Sequence, residues 1–291
     1  MEEEIRRCIV YILYNKHDIG LIKAGGKNMD VQLLITVFAL GFFGSFLAGM
    51  LGIGGSVVLY PLLLFVPPLV GVGMFSAHEV AGIGAVQSLF ASVSGALAYK
   101  KGGYLNKPLI LYMGISVLVG SLIGSTLSNS FSEGMINFIY GVMATIAAGL
   151  MFMPKKNNPA ADSFEVTFSK PLAAALAFLV GICGGIVGAG GAFLLVPIMI
   201  TVLKIPVRVT IASSLAVTFI SSMGTTFGKV MTHQVLLLPA LMIIGASLLA
   251  APIGAFVGQK TKVASLQVIL AIVITATSLK IWFDLLMKSI H

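Results

Sequence analysis

The residues best placed to do chemistry in this chain are glycines. Gly49-Met50-Leu51-Gly52-Ile53-Gly54-Gly55-Ser56 interrupts a long apolar run ahead of Pro61, and Gly185-Ile186-Val187-Gly188-Ala189-Gly190-Gly191-Ala192 does the same ahead of Pro197. The separations 190 − 54 and 197 − 61 are both 136, so glycines and proline recur in one register. An interior glycine costs a helix roughly 1 kcal/mol relative to alanine. A cluster of them in an apolar run therefore marks a place where a helix stops, turns through positive φ and restarts inside a bilayer. The restart leaves free N–H groups and the positive end of a helix dipole, which is the chemistry of anion binding. Gly52, Gly54, Gly55 and Ser56, with Gly188, Gly190 and Gly191, are the first candidates for contact with a small anion. Close helix packing is the competing reading, since Gly41, Ser45 and Gly49 stand four apart, as do Ala177, Gly181 and Gly185. The two are compatible.

Side chains add hydroxyls and few charges. Ser88, Ser92, Thr218 and Ser222 lie in small-residue segments that follow the glycine stretches, and Ser213-Ser214 stands where the first half has Ile83-Gly84. They are candidates for the lining of a substrate path, against interhelical or back-bonded hydroxyls. Glu79, beside His78, is the best proton-coupling candidate among few acids; its bland alternative is an acid at a helix start. His78, Glu79 and His233 share no metal-ligand or triad spacing, which argues against an enzyme and against a bound metal. The glycine runs lack the Lys-Ser/Thr of a phosphate loop and any βαβ context, so no nucleotide or dinucleotide cofactor is expected. Cys8 and Cys183 form no disulfide framework.

These residues must be positioned by membrane helices. Charged residues make up 10% and hydrophobic residues 58% of the chain, where a soluble domain carries about a quarter charged residues. The fold class is an all-α, polytopic membrane protein. Residues 1–28 form a polar, amphipathic extension. It lies at the membrane surface, or it precedes a natural start at Met29. Residues 29–153 and 172–291 are two transmembrane repeats, and the polar stretch 154–171 is their linker. Ser222 and Ser92 differ by 130, as do Gly254 and Gly124, which extends the duplication past the glycines. Pro67-Pro68 is expected to close the first broken segment.

Counting each glycine-broken segment as one crossing gives eight spans in two four-span halves, with broken or re-entrant helices. The leader, the Lys100 to Lys107 loop, the linker, the Lys229 loop and the C-terminus then share one side, which the positive-inside rule makes cytoplasmic. A complete hairpin at each break would instead give each half an odd number of crossings, invert the halves and remove most of the charge bias. The charge count favours the first arrangement.

The doubled Gly-x-x-Gly-x-Gly-Gly followed by proline, the hydroxyl-rich helix after it, the Leu122-Ile123-Gly124 and Pro252-Ile253-Gly254 helices and the polar linker resemble the sulfite exporter TauE/SafE family, also called toluene sulfonate uptake permeases. The resemblance covers roughly residues 29 to 288. It implies a multi-pass secondary carrier of the plasma membrane for sulfite, sulfonates, sulfoacetate or a similar small anion, driven by a coupling ion. H+ is the expected ion and Na+ the alternative. The family's Gly-Thr-Ser-Leu becomes Gly82-Ile83-Gly84-Ala85 and Ala212-Ser213-Ser214-Leu215 here, so a hydroxyl pair is kept only in the second half. The expected partners are the anion and the lipid bilayer, with no nucleic acid and a homo-oligomer left open. The competing functions are a passive anion channel and a membrane protein that transports nothing.

Overall fold

The computed structural model describes residues 21–24, 27–100, 105–152 and 168–290. Most of the leader and of the central linker lies outside them. A short ribbon, β1 (Leu21–Ala24) with β2 (Lys27–Asp30), precedes helices that make up nearly all the other described residues. The helices are α1 (Val31–Leu51), α2 (Ser56–Val70), α3 (Ala77–Lys100), α4 (Lys107–Leu127), α5 (Glu133–Phe152), α6 (Lys170–Val187), α7 (Ala192–Thr201), α8 (Val207–Met231), α9 (Leu237–Lys260) and α10 (Val263–Ile290). Eight of them are long and apolar enough to cross a membrane; α2, with 15 residues, and α7, with 10, are shorter.

The bundle turns apolar side chains outward and encloses a mixed interior, in which large apolar residues such as Leu51, Leu59 and Tyr140 pack beside small hydroxyl residues. Leu111, Ile115, Leu249 and Ile272 are exposed, whereas Ser45, Ser88, Ser121, Ser222 and Thr225 are wholly buried. Lipid tails are as apolar as leucine, so helix association rests on close backbone approach and interhelical hydrogen bonds. Gly49 lies on the Ala251 carbonyl, Gly254 on the Phe46 carbonyl and Gly124 on the Ile182 carbonyl. Between the α1 and α9 glycines, Ser45 and Ser247 share a 2.8 Å hydrogen bond.

These contacts fix helix direction. Gln87 donates to Gly41 O and Ser45 Oγ while Gly95 packs on Gly49, so α3 runs parallel to α1. The chain must therefore return between them, and α2 does this. Next to Gly44 of α1 lie Gly55 O and Leu59 Cβ, and after α2 the Gly73 position lies 3.6 Å from Leu33, at the start of α1. The second half turns in the same way: Lys229 reaches Ile186 O, so α8 ends beside the end of α6, and α7 makes the return.

Each glycine break is thus a hairpin with a short re-entrant helix: the eight long spans expected from sequence stand, and what changes is that α2 and α7 turn back toward the side from which α1 and α6 start. The sharing of one side is corrected in part: parallel α1 and α3 put the start of α1 and the end of α3 at opposite ends of the bundle, while the start of α1, the Lys229 end of α8 and the end of α10 remain together. Lys107, Lys170, Lys204, Arg208, Lys260 and Lys262 all stand at the end opposite the start of α1. Arg208 donates to Gln259 O at 3.0 Å and the Asn106 N–H to Ser213 Oγ at 3.1 Å, joining α4, α8 and α9 there. Pro67-Pro68 does not close α2 either. A proline lacks an N–H but keeps its carbonyl, and the helix continues to Val70, where the Gly71 N–H, at φ 76°, is directed to the Pro67 and Pro68 carbonyls.

Candidate functional site

Both hairpins deliver the start of a short helix to mid-depth. In the first, Gly52 and Gly54 turn the chain at φ 73° and 69°. Gly55 has an ordinary right-handed backbone, φ −63°. Its need for no side chain is steric: a Cβ there would stand 2.6 Å from the Gln87 carboxamide carbon. In the second, Gly188, Gly190 and Gly191 take φ 81°, 59° and 70°. The Gly188 and Ala189 N–H groups donate to Gly185 O at 3.3 Å and Gly184 O at 2.9 Å, closing the end of α6.

Each hairpin leans on a long polar helix of the other half of the chain. Gly52 meets the Ile211 carbonyl and Ser214 Oγ of α8, each 2.8 Å from its Cβ position, and Gly188 meets the Ala81 carbonyl of α3. The helix starts converge at Ser88. Ser56, first in α2, shares a 2.7 Å hydrogen bond with the Ser88 hydroxyl. A Cβ on Gly190, just before α7, would stand 2.7 Å from Ser222 Oγ, 3.6 Å from Thr218 Cγ2 and 3.8 Å from Ser88 Cβ. The first four N–H groups of any helix have no intrahelical acceptor. The two helix starts, with their positive dipole ends, lie at one buried cluster, although in α7 the Leu194 N–H already turns back to Gly191 O at 3.1 Å.

The hydroxyls in and around this cluster divide by what they bond. Ser92 donates back to the Ser88 and Leu89 carbonyls of its own helix. Ser213 accepts the Asn106 N–H, and Ser214 donates to Gly52 O at 2.8 Å. Ser92, Ser213 and Ser214, taken from sequence as substrate contacts, are engaged in structure. Thr218 Oγ1, Ser221 Oγ and Ser222 Oγ are buried with no hydrogen-bond partner among the described residues. Leaving a buried hydroxyl unpaired costs about 1–3 kcal/mol, so Ser222 Oγ, beside Gly190, and Thr218 Oγ1, one turn earlier on α8, are candidates to bond a ligand. The hydroxyl asymmetry read from sequence has a structural consequence too. Gly84 occupies, against Gly188 O at 3.4 Å, the place that Ser214 holds against Gly52 O.

Glu79 lies away from the cluster, at the start of α3. Its carboxylate accepts the Ser76 N–H at 2.9 Å and its own N–H donates to Ser76 Oγ at 3.2 Å, a reciprocal capping box. Among the described residues no three His, Cys, Asp or Glu side chains converge as metal ligands.

In the sequence, Lys229 reads as a loop cation. It stands instead in the last turn of α8, wholly buried. The signal was its spacing: Thr218, Ser222, Thr225 and Lys229 fall at i, i+4, i+7 and i+11, one face of a helix.

The sulfite exporter TauE/SafE family model matches residues 37–281 of the chain. A probable membrane transporter protein of Bacillus subtilis (strain 168) is 25% identical over 256 residues, which is 82% of this chain and 94% of that protein. A probable membrane transporter protein of Xylella fastidiosa (strain 9a5c) is 27% identical over 188 residues, 64% of this chain and 70% of the relative. No solved structure matches the chain.

Proposed function

The chain belongs to the sulfite exporter TauE/SafE family of membrane proteins, and from that premise we propose that it is a secondary carrier for a small sulfur-containing oxyanion, such as sulfite, a sulfonate or sulfoacetate, in the plasma membrane. The observation that carries this reading is the convergence of two helix starts on buried, unpartnered hydroxyls around Ser88 and Gly190. N–H groups at the starts of α2 and α7 bind the oxyanion as helix N-termini bind phosphate. Thr218 and Ser222 donate to its remaining oxygens, and Gly190 gives them room. An anion needs donors without negative charge nearby, and no Asp or Glu occurs in α1, α2, α4 or α6 to α9.

We read residues 29–153 and 172–291 as copies inverted relative to one another, each contributing one hairpin. The matched pairs support this: 211 − 81 is 130 and 188 − 52 is 136, so Gly52 on Ile211 and Gly188 on Ala81 are one contact made twice. Broken helices that meet at mid-depth between inverted repeats suit alternating access by rocking one repeat against the other. The end that gathers Lys107, Lys170, Lys204, Arg208, Lys260 and Lys262 is the cytoplasmic one on the positive-inside rule. The leader's Arg6, Arg7, Lys16, Lys23 and Lys27 act in the opposite sense.

Coupling is to H+, with Glu79 the acidic candidate. The test is uptake of labelled sulfite or sulfoacetate into proteoliposomes under an imposed ΔpH. Accumulation above equilibrium identifies a carrier. Flux that only follows the anion's own gradient identifies a channel, and absence of flux removes the transport reading. Thr218→Val with Ser222→Ala should raise KM about thirtyfold, since each hydrogen bond contributes about 1 kcal/mol.

A further inference from the structure

Lys229 is a buried cation that the anion site does not use. It is 0% exposed, and its ammonium donates to Gln234 Oε1 at 2.7 Å, Ser128 Oγ at 2.7 Å and Ile186 O at 3.0 Å. All three protons are engaged, and every acceptor is neutral. A buried charge in a membrane protein is ordinarily paired with an opposite one, but no carboxylate lies within reach of this one among the described residues. The acceptors come from three separate segments: the end of α6 at the second break, the turn after α4, and the turn between α8 and α9. Ser128 Oγ donates onward to Ser125 O at 2.7 Å, which turns its lone pairs toward the lysine.

A helix-end carbonyl, a hydroxyl and a carboxamide oxygen converging on one point is the donor set of a hard monovalent cation. The corresponding place in the first half holds no lysine. Because 229 − 99 and 258 − 128 are both 130 and 186 − 50 is 136, Lys229, Ser128 and Ile186 correspond to Tyr99, Gly258 and Met50. There the Gly258 Cβ position lies 2.8 Å from Tyr99 Oη and 2.6 Å from Met50 O. A phenol stands there whose hydroxyl has no hydrogen-bond partner among the described residues, so no ammonium closes the first hairpin as Lys229 closes the second.

We propose that the Lys229 ammonium is a tethered cation: it occupies a three-oxygen site that a free monovalent cation would otherwise fill, and it holds the second hairpin formed without a bound ion. The protein therefore needs neither Na+ nor K+ at this position, which bears on the coupling ion of the carrier reading. The site itself stands independently of that reading.

Chemical rescue tests it. Lys229→Ala, purified in detergent, is compared with wild type for Tm in choline chloride and in Na+, K+ or methylammonium chloride at equal ionic strength. The variant should melt several degrees below wild type in choline and recover about 3 °C or more with methylammonium or K+, because a cation that binds only the folded state stabilises it. Wild type should not respond. A folded variant without cation-specific recovery, or a wild type stabilised by Na+ or K+ over choline, overturns the proposal; the wild-type arm decides even where the variant yields no folded protein. In proteoliposomes at fixed ΔpH, wild-type uptake should agree within twofold in choline, Na+ and K+, and stimulation by Na+ or K+ counts against it. Absent uptake in every medium counts against the carrier reading alone, leaving the thermal result to judge the site.

Discussion

At the scale of single residues, the buried hydroxyls separate by what they already bond, and mutation should separate them the same way. Ser222 Oγ and Thr218 Oγ1 have no partner among the described residues. Deleting an unpaired buried hydroxyl removes its desolvation penalty, so Ser222→Ala and Thr218→Val should leave Tm unchanged or slightly raised while weakening anion binding. Ser214→Ala should do the reverse. It strands Gly52 O, which Ser214 satisfies at 2.8 Å, and should lower stability by about 1–2 kcal/mol with KM nearly unchanged. A thermal melt and a KM measured on each variant give both readings. Glu79→Gln is a clean test of coupling because glutamine also completes a capping box: the α3 start stays formed while the carboxylate is lost. Loss of ΔpH-driven flux with an unchanged melt would make Glu79 the proton site. Equal flux would leave it a cap.

At the scale of elements, the glycines of the breaks are required for different reasons, and substitution should grade them. Gly188→Ala combines φ 81° with a methyl driven into the Ala81 carbonyl. No side chain can relax to relieve it, so the second hairpin should fail to form and folded yield should collapse. Gly71→Ala carries a similar φ of 76° but meets nothing within 4 Å. It should lose only about 1–2 kcal/mol of left-handed strain, a shift of a few degrees in Tm. Gly149, inside α5 with nothing within 4 Å, should tolerate alanine or gain from it. The position of the breaks was legible in sequence because glycine clusters are rare in apolar helices. Their shape was not. A kink and a hairpin call for the same residues, and only tertiary contacts, Gln87 and Gly95 on α1 and Lys229 on the end of α6, decide between them.

At the scale of the whole molecule, the parallel course of α1 and α3 places the Gly71–Ser76 turn at one end and the Lys204 and Lys262 turns at the other. In a background lacking Cys8 and Cys183, Met74→Cys should react in intact cells with a membrane-impermeant maleimide, since Met74 is 77% exposed. Lys262→Cys should react only after the cells are opened. The opposite pattern would reverse the orientation proposed from the cation distribution.

Composition and periodicity alone settled the class of this molecule, because spanning a bilayer demands long uncharged helices; the doubled glycine motif with its proline carried a resemblance to the family, which the match over residues 37–281 shows. They also located the second break correctly at Gly188 to Gly191. Tertiary structure alone decided the direction of α2 and α7, because direction depends on which surface a helix meets after a turn and not on its own residues. It also sorted Ser92, Ser213 and Ser214 from Thr218 and Ser222, all of them hydroxyls in similar surroundings along the chain. A hydroxyl's role lies in what faces it across the bundle. Lys229 shows the same limit: three residues from a helix end it reads as a loop charge, and only the meeting of Ser128, Ile186 and Gln234, distant in sequence, encloses it.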